Sequence, residues 1–138
     1  MRREKHFFLD EKRRVEIGML LKVLIEEKKC FIQPHYNLIQ LSKDTQFSTN
    51  LLSAFFNQHL GYHFTDYLNN LRITHCKQLI ENGAAIEYSL IGLSKQCGFN
   101  NRNSFTAAFK KFTGMLPSSY VKLYMDYKNR NKLFMEFV

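Results

Sequence analysis

The chain has 138 residues, 45% hydrophobic and 14% aromatic, with a net charge of +8 and an isoelectric point near 9.5. That is one domain, or two small subdomains sharing a linker, with enough apolar volume to bury a core, which excludes a disordered tail. Only two prolines and six glycines favour helices over turn-rich β structure, and the basic balance favours an acidic partner, nucleic acid first and an anionic membrane second.

Residues 1–10 are mixed in character and read as a frayed start, where Arg2-Arg3 lacks the apolar region of a twin-arginine export signal. Residues 11–29 read as a helix. Its apolar set (Val15, Ile17, Met19, Leu20, Leu21, Val23, Leu24, Ile25) is broader than one stripe. Two readings follow: the helix packs on its own domain, or part of it faces a partner chain. The run Met19–Ile25 is broken by Lys22 and is too short to span a bilayer.

Gln33-Pro34-His35 breaks the chain. A helix then starts behind Asn37, a residue suited to cap it, with Tyr36 and Leu41 placed as a hydrophobic staple. It stops near Thr45-Gln46-Phe47. Ser48 is placed to cap a second helix running to about Leu60, with Phe47 and Leu52 as its staple and Gly61 as its stop. Helix, short turn, helix is the helix-turn-helix pattern. From Phe64 to Asn82 a longer helix carries Phe64, Tyr67, Leu68, Leu71, Cys76, Leu79 and Ile80 near a 3.6 period, and Asn82-Gly83 ends it.

The plan then begins again. At a shift of 52 residues, Tyr36, Leu38, Ile39, Leu41, Ser42, Lys43 and Phe47 meet identical residues at Tyr88, Leu90, Ile91, Leu93, Ser94, Lys95 and Phe99. At a shift of 53, Ala54, Phe56, Gly61 and Tyr67 meet Ala107, Phe109, Gly114 and Tyr120. The second copy therefore holds one extra residue, most simply in the turn Asn100–Asn103. Two copies of one unit are joined by the helix from Phe64.

Within the second copy, Gly98 to Tyr120 reads as a turn, an amphipathic helix and a stop. Asn100 or Asn101 can cap it, and Gly114 and Pro117 end it. Phe105, Phe109 and Phe112 share one face; Arg102, Asn103, Thr106 and Lys110 lie on another, and are side chains able to read base edges and grip phosphates. From Tyr88 to Lys132 there are eight Lys or Arg and one acid, Asp126. A connector of nineteen residues is about 28 Å long, against roughly 34 Å between successive major grooves on one face of B-DNA.

Other chemistries lack their residues. Cys30, Cys76 and Cys97 are far apart and odd in number, which suits reduced thiols in a cytoplasm. His59 and His63 are separated by Gly61 with no third ligand. No hydrolytic triad and no phosphate loop is present, so neither an enzyme, a metal nor a cofactor is expected. Arg72 reads as structural, pairing with an acid of a neighbouring helix, rather than as a DNA contact. Lys110-Lys111, Asn50 and Asn57 also have a plain reading as solvated surface.

Gly98-Phe99, Phe105, Phe109-Lys110-Lys111, Gly114, Pro117 and Tyr120 have a spacing that resembles the signature of AraC/XylS-type transcription regulators. The resemblance covers about residues 34–123. It implies an all-α domain of two helix-turn-helix units bridged by a long helix, binding two adjacent major grooves of double-stranded DNA. Carried over by position, it implies base reading by Asn50, Ser53, Ala54 and Asn57 in the first unit and by Arg102, Asn103, Thr106 and Ala107 in the second, with Lys110 and Lys111 on the DNA backbone. The chain departs from the pattern at Ala107, where many members carry Arg or Lys, and at Ser42 and Ser94, where a small Ala is usual. Its first recognition helix, Ser48 to Leu60, has no Lys or Arg.

The expected organisation is an N-terminal helical extension (1–33), a first helix-turn-helix (34–63), a connector helix (64–83), a second helix-turn-helix (84–124) and a C-terminal tail (125–138). Expected partners are double-stranded DNA, RNA polymerase, and a sensory domain or a second copy docked on the N-terminal helix. A length of 138 residues leaves no room for a separate sensory domain. The expectation is therefore a stand-alone regulator or the output piece of a larger sensor, and an N-terminal helix more apolar than a free end needs favours the output piece. The alternative is a protein-interaction module that keeps the helix-turn-helix fold.

Overall fold

The computed structural model describes residues 9–83 and 89–136, so Arg2-Arg3 and Tyr88 lie outside the described residues. Among the described residues all regular structure is helical. The chain divides into two compact units, Met1–Asn69 and Asn70–Val138.

In the first unit, α1 (Glu11–Lys22) starts where the Asp10 carboxylate accepts the Arg13 N–H at 2.8 Å. It does not stay α-helical to Lys29. It widens into a π turn, Val23–Glu27, in which the Lys28 N–H donates to the Val23 carbonyl at 3.2 Å. A 3₁₀ turn, Cys30–Ile32, leads to α2 (Leu38–Thr45), capped by Asn37, whose side chain accepts the Gln40 N–H at 2.9 Å. Next, α3 (Thr49–Ala54) is capped by Ser48, which accepts the Leu51 N–H at 3.1 Å. It too passes into a π turn, Phe55–Leu60, and Gly61 ends it at φ 74°, a left-handed conformation that favours glycine. The connector α4 (Phe64–Glu81) starts in this unit and ends in the second.

In the second unit, α5 (Leu90–Gln96) is capped by Ser89, accepting the Gly92 N–H at 3.1 Å. Asn101, not Asn100, caps α6 (Arg102–Thr113), accepting the Ser104 N–H at 2.8 Å, and Gly114 closes it at φ 76°. Pro117 does not end α6. It is the first residue of α7 (Pro117–Glu136), where a missing N–H costs nothing. Positions 125–136 thus continue a helix. Tyr124 O–H, from α7, donates to the Glu81 carbonyl at 2.9 Å, satisfying one of the acceptors left open at the end of α4.

The repeat is visible in the backbone. Asn37 and Ser89 cap equivalent helices; Gln46 and Gly98 hold equivalent left-handed turns at φ 64° and 95°. Ser48 and Asn101 cap the second helix of each unit, and Gly61 and Gly114 close it. Phe47 sits directly before its cap, whereas Asn100 stands between Phe99 and Asn101, so Asn100 is the extra residue.

Each unit buries its own aromatic set. In the first, Phe56 is fully buried, with ring centroids 5.0 Å from Tyr67 and 5.1 Å from Phe64. In the second, Phe99, Phe105, Phe109 and Tyr120 form a chain of edge-on contacts at 5.4, 5.7 and 5.4 Å. Ile73, Cys76, Ile80, Leu93 and Cys97 complete that core. Buried Arg72 lies with its guanidinium 5.6 Å from the Phe99 ring centroid, a cation–π contact that gives it a packing role. Ser94, also buried, donates its hydroxyl to the Ile91 carbonyl at 2.7 Å, so the polar replacement of a small residue is satisfied inside its own helix.

Two outcomes follow. Asn101→Ala should lower the unfolding free energy by about 1 kcal/mol, read as a fall in urea midpoint at unchanged slope. Cys30, Cys76 and Cys97 are buried, reduced thiols, and the Cys76 thiol is pushed up, first by its hydrogen bond with Cys97 and then by burial. Little thiolate forms, so a thiol reagent at pH 8 should leave Cys76 unmodified in the native protein and label it only after unfolding.

Candidate nucleic-acid interface

The two second helices of the repeat present matched faces. The aromatic side that each buries dictates which side points out. In α6, Phe105, Ala108 and Phe109 are buried, so Arg102, Asn103, Ala107, Lys110 and Lys111 are exposed and Thr106 is half-buried. In α3 and its π turn, Leu52, Phe55 and Phe56 are buried, leaving Asn50 and Asn57 exposed and Ser53 and Ala54 half-buried.

Because the caps match at a shift of 53 residues, the outward rows are in register. Asn50 meets Asn103, Ser53 meets Thr106, Ala54 meets Ala107 and Asn57 meets Lys110. The structure brings each unit's candidate residues onto one helix. It also exposes two positions that sequence reasoning missed. Half-buried Thr49 is the counterpart of Arg102, and exposed Gln58 is the counterpart of Lys111. The repeat would have found both; they carry no charge, so composition did not single them out.

Local contacts tune these side chains. Asn57 donates from Nδ2 to the Ser53 hydroxyl at 3.3 Å, tying two candidates one helical turn apart. Lys111 lies over the Phe112 ring at 5.7 Å, and Lys110 and Lys111 fall in the last turn of α6, where cations also favour the helix dipole. Arg102 and Thr106 form one wall of a cleft of about 310 Å³ where α5, α6 and α7 begin, lined also by Ser89, Ile91, Phe105 and Ser118.

Electrostatically the rows differ. α6 exposes three cations, Arg102, Lys110 and Lys111, whereas α3 with its π turn carries no Lys or Arg. Chemically, α6 can pair bidentately through Arg102, donate and accept through Asn103, and neutralise phosphates through its lysines. The row on α3 can hydrogen-bond through amides and hydroxyls but cannot neutralise charge.

Among the described residues, no group of three or more His, Cys, Asp or Glu could hold a metal ion, and no helix is long and apolar enough to cross a membrane.

Two capped helix pairs, each projecting its second helix's polar face outward, define a protein with a duplicated helix-turn-helix. A helix-turn-helix domain family matches residues 41–123, and the chain belongs to this AraC-type family of DNA-binding transcription regulators. It is similar to the HTH-type transcriptional activator RhaR of Escherichia coli K12, at 27% identity over 101 residues, 73% of this chain and 35% of RhaR. The chain thus spans about a third of the length of the curated relatives it matches. Among solved structures, the C-terminal domain of AraT, a response regulator from Geobacillus stearothermophilus, matches with a TM-score of 0.66 at 21% identity over 78% of this chain and 84% of that one. The DNA-binding domain of AdpA, a global transcriptional factor solved with a target DNA, matches with a TM-score of 0.69 at 17% identity over 83% of this chain and 96% of that one. Both likenesses speak for the fold.

If the outward row is not part of the scaffold, its truncation should leave the fold intact. Arg102→Ala and Asn103→Ala should each change the urea unfolding free energy by no more than about 0.5 kcal/mol, the range of ordinary surface substitutions.

Proposed function

We propose that this chain binds double-stranded DNA sequence-specifically as a transcription regulator, with α3 and α6 as recognition helices in adjacent major grooves. The observation that carries the reading is the pair of outward polar rows held in register by duplicated caps. In the second unit, Arg102, Asn103 and Thr106 read base edges, and Lys110 and Lys111 grip the backbone. In the first, Asn50, Ser53 and Asn57 hydrogen-bond to base edges, joined by Thr49 and Gln58. An arginine paired bidentately to guanine is worth about 1–3 kcal/mol of discrimination, and Asn can pair likewise with adenine. Ala54 and Ala107 offer only methyl contact to thymine. The second unit therefore supplies most of the affinity, and the first supplies additional readout.

The reading extends to the setting. The chain acts as the output domain of a larger sensor, a reading supported by the apolar surface of its N-terminal helix, and it meets RNA polymerase at the promoter. The exposed apolar row Val15, Met19, Leu20 and Val23 on α1 and its π turn is the surface for a sensory domain or a second copy. The same row, together with the uncharged α3, favours a second reading, a protein-interaction module that keeps the fold.

Fluorescence anisotropy on duplexes selected from a random pool tests the proposal. Binding should weaken steeply with salt, because phosphate neutralisation releases counterions. Arg102→Ala combined with Lys110→Ala should reduce affinity by at least about tenfold and flatten the salt slope by roughly one unit. Unchanged duplex binding by that variant would sink the assigned interface, and no binding by the native chain at low salt would favour the interaction module.

A further inference from the structure

Val15, Met19, Leu20 and Val23 stand exposed along α1 and its π turn, Met19 at 67%, while Ile17, Leu21 and Leu24 seat the other side of the same helix in the first unit. An apolar row left in water beside a side already buried marks a docking surface. A sensory domain and a second copy both offer apolar surface to such a row. The charges around it choose between them.

The row is symmetrical about one residue. Lys12, Val15, Met19 and Val23 share a face of the helix, and Glu26 stands three residues further on, in the π turn. The spacings are three, four, four and three, the same from either end. Met19 is also the midpoint of the helix, which has twelve residues in α1 and five in its π turn, about 25 Å in all. Two such helices laid antiparallel, Met19 on Met19, pair each residue before Met19 with the residue equally far after it. Val15 then meets Val23, Lys12 meets Glu26, and Glu16 meets Lys22. Lys12, Lys22 and Glu26 are exposed and Glu16 is half-buried, so all four charges are open to a partner. Long lysine stems let each ammonium reach a carboxylate at the rim. Within residues 11–27 like charges meet at one place, the open ends, where Glu11 faces Glu27. Laid parallel, every one of these charges would face its own copy, Lys12 on Lys12 and Glu26 on Glu26, which repels.

We propose that this face binds a second copy of the chain, α1 against α1, antiparallel about a two-fold axis between the two Met19 side chains. The same patch serves both partners and the contact closes on itself, as a two-fold interface requires. Met19 suits the centre, since its flexible thioether adapts to a copy of itself. One helix from each chain makes a contact at the small end of the specific range, so the dimer is weak and depends on concentration. The rim charges set orientation and register more than strength. A two-fold dimer presents its copies to DNA in opposite senses. It therefore favours an inverted repeat of the site over a direct repeat, a consequence that rests on the DNA-binding function proposed above.

Sedimentation equilibrium without DNA tests the interface. The native chain should show a monomer–dimer equilibrium with a dissociation constant of about 10–100 µM. Met19→Lys places two like charges at the axis, and the chain should then stay monomeric at every concentration with an unchanged melting temperature, because Met19 is exposed. Lys12→Glu should weaken association by at least about tenfold, and adding Glu26→Lys to it should restore native affinity, since the two positions face each other. A native chain that is monomeric throughout, or a dimer that Met19→Lys leaves intact, overturns the interface. Unchanged association of Lys12→Glu, or failure of the added Glu26→Lys to restore it, overturns the antiparallel register. Gel-shift titration on a selected site arranged as an inverted and as a direct repeat reads the consequence separately. Cooperative filling of the inverted repeat alone supports it, and equal filling of both overturns the consequence while the dimer stands.

Discussion

One aromatic contact is used twice, and the two units depend on it. Phe56 packs on Tyr67 at 5.0 Å and Phe109 on Tyr120 at 5.4 Å, and the two pairs are related by the same shift of 53 residues that aligns the caps. Both phenylalanines are fully buried. Each pair joins the second helix of its helix-turn-helix to the helix that follows, α4 in the first unit and α7 in the second. The first pair is tilted at 47° and the second edge-on at 71°, and aromatic pairs are worth about 0.5–1.5 kcal/mol beyond the area they bury. More important is their directionality: a ring held at a defined angle fixes the rotation of its helix. With Phe105, Ala108 and Phe109 held inward, Arg102, Asn103, Lys110 and Lys111 are left exposed and Thr106 half-buried.

The repeat is symmetrical in scaffold and asymmetrical in charge. Caps, left-handed turns and aromatic locks are shared, yet cations stand on α6 and not on α3. The winding differs too. α6 is α-helical throughout, whereas its counterpart α3 turns π at Phe55, where two adjacent phenylalanines are both buried. A regular α-helix sets neighbours about 100° apart, and the wider turn accompanies the burial of both rings. Under the proposed function, the cations of α6 suit it to hold DNA, and the row on α3, which has no Lys or Arg, to refine where it is held.

Most of the fold was legible in the residues because helix ends are marked chemically. Asn37, Ser48, Ser89 and Asn101 cap the helices they precede, and Gly61 and Gly114 close them. The duplication was legible from identities alone, and the extra residue fell within the expected turn. Pro117 was misread because a proline beyond one helix and a proline opening the next look alike in sequence; only the backbone tells them apart. The π turns left no trace, since Val23–Glu27 and Phe55–Leu60 contain no proline or glycine and their winding comes from packing. The apolar breadth of α1 was legible as a question and is now divided: Ile17, Leu21 and Leu24 are buried, and Val15, Met19, Leu20 and Val23 are exposed. Of the outward rows, charge revealed Arg102, Lys110 and Lys111, whereas Thr49 and Gln58 needed the register of the two copies.

The account stands or falls on both copies reading DNA. Hydroxyl-radical footprinting on a duplex selected by the native chain measures that most directly. Two protected windows, their centres about one helical turn apart, are predicted, with Asn50→Ala and Asn57→Ala together erasing protection and sequence preference in one window only. A single protected window, unchanged by those substitutions, would contradict the account and leave α6 as the sole reader.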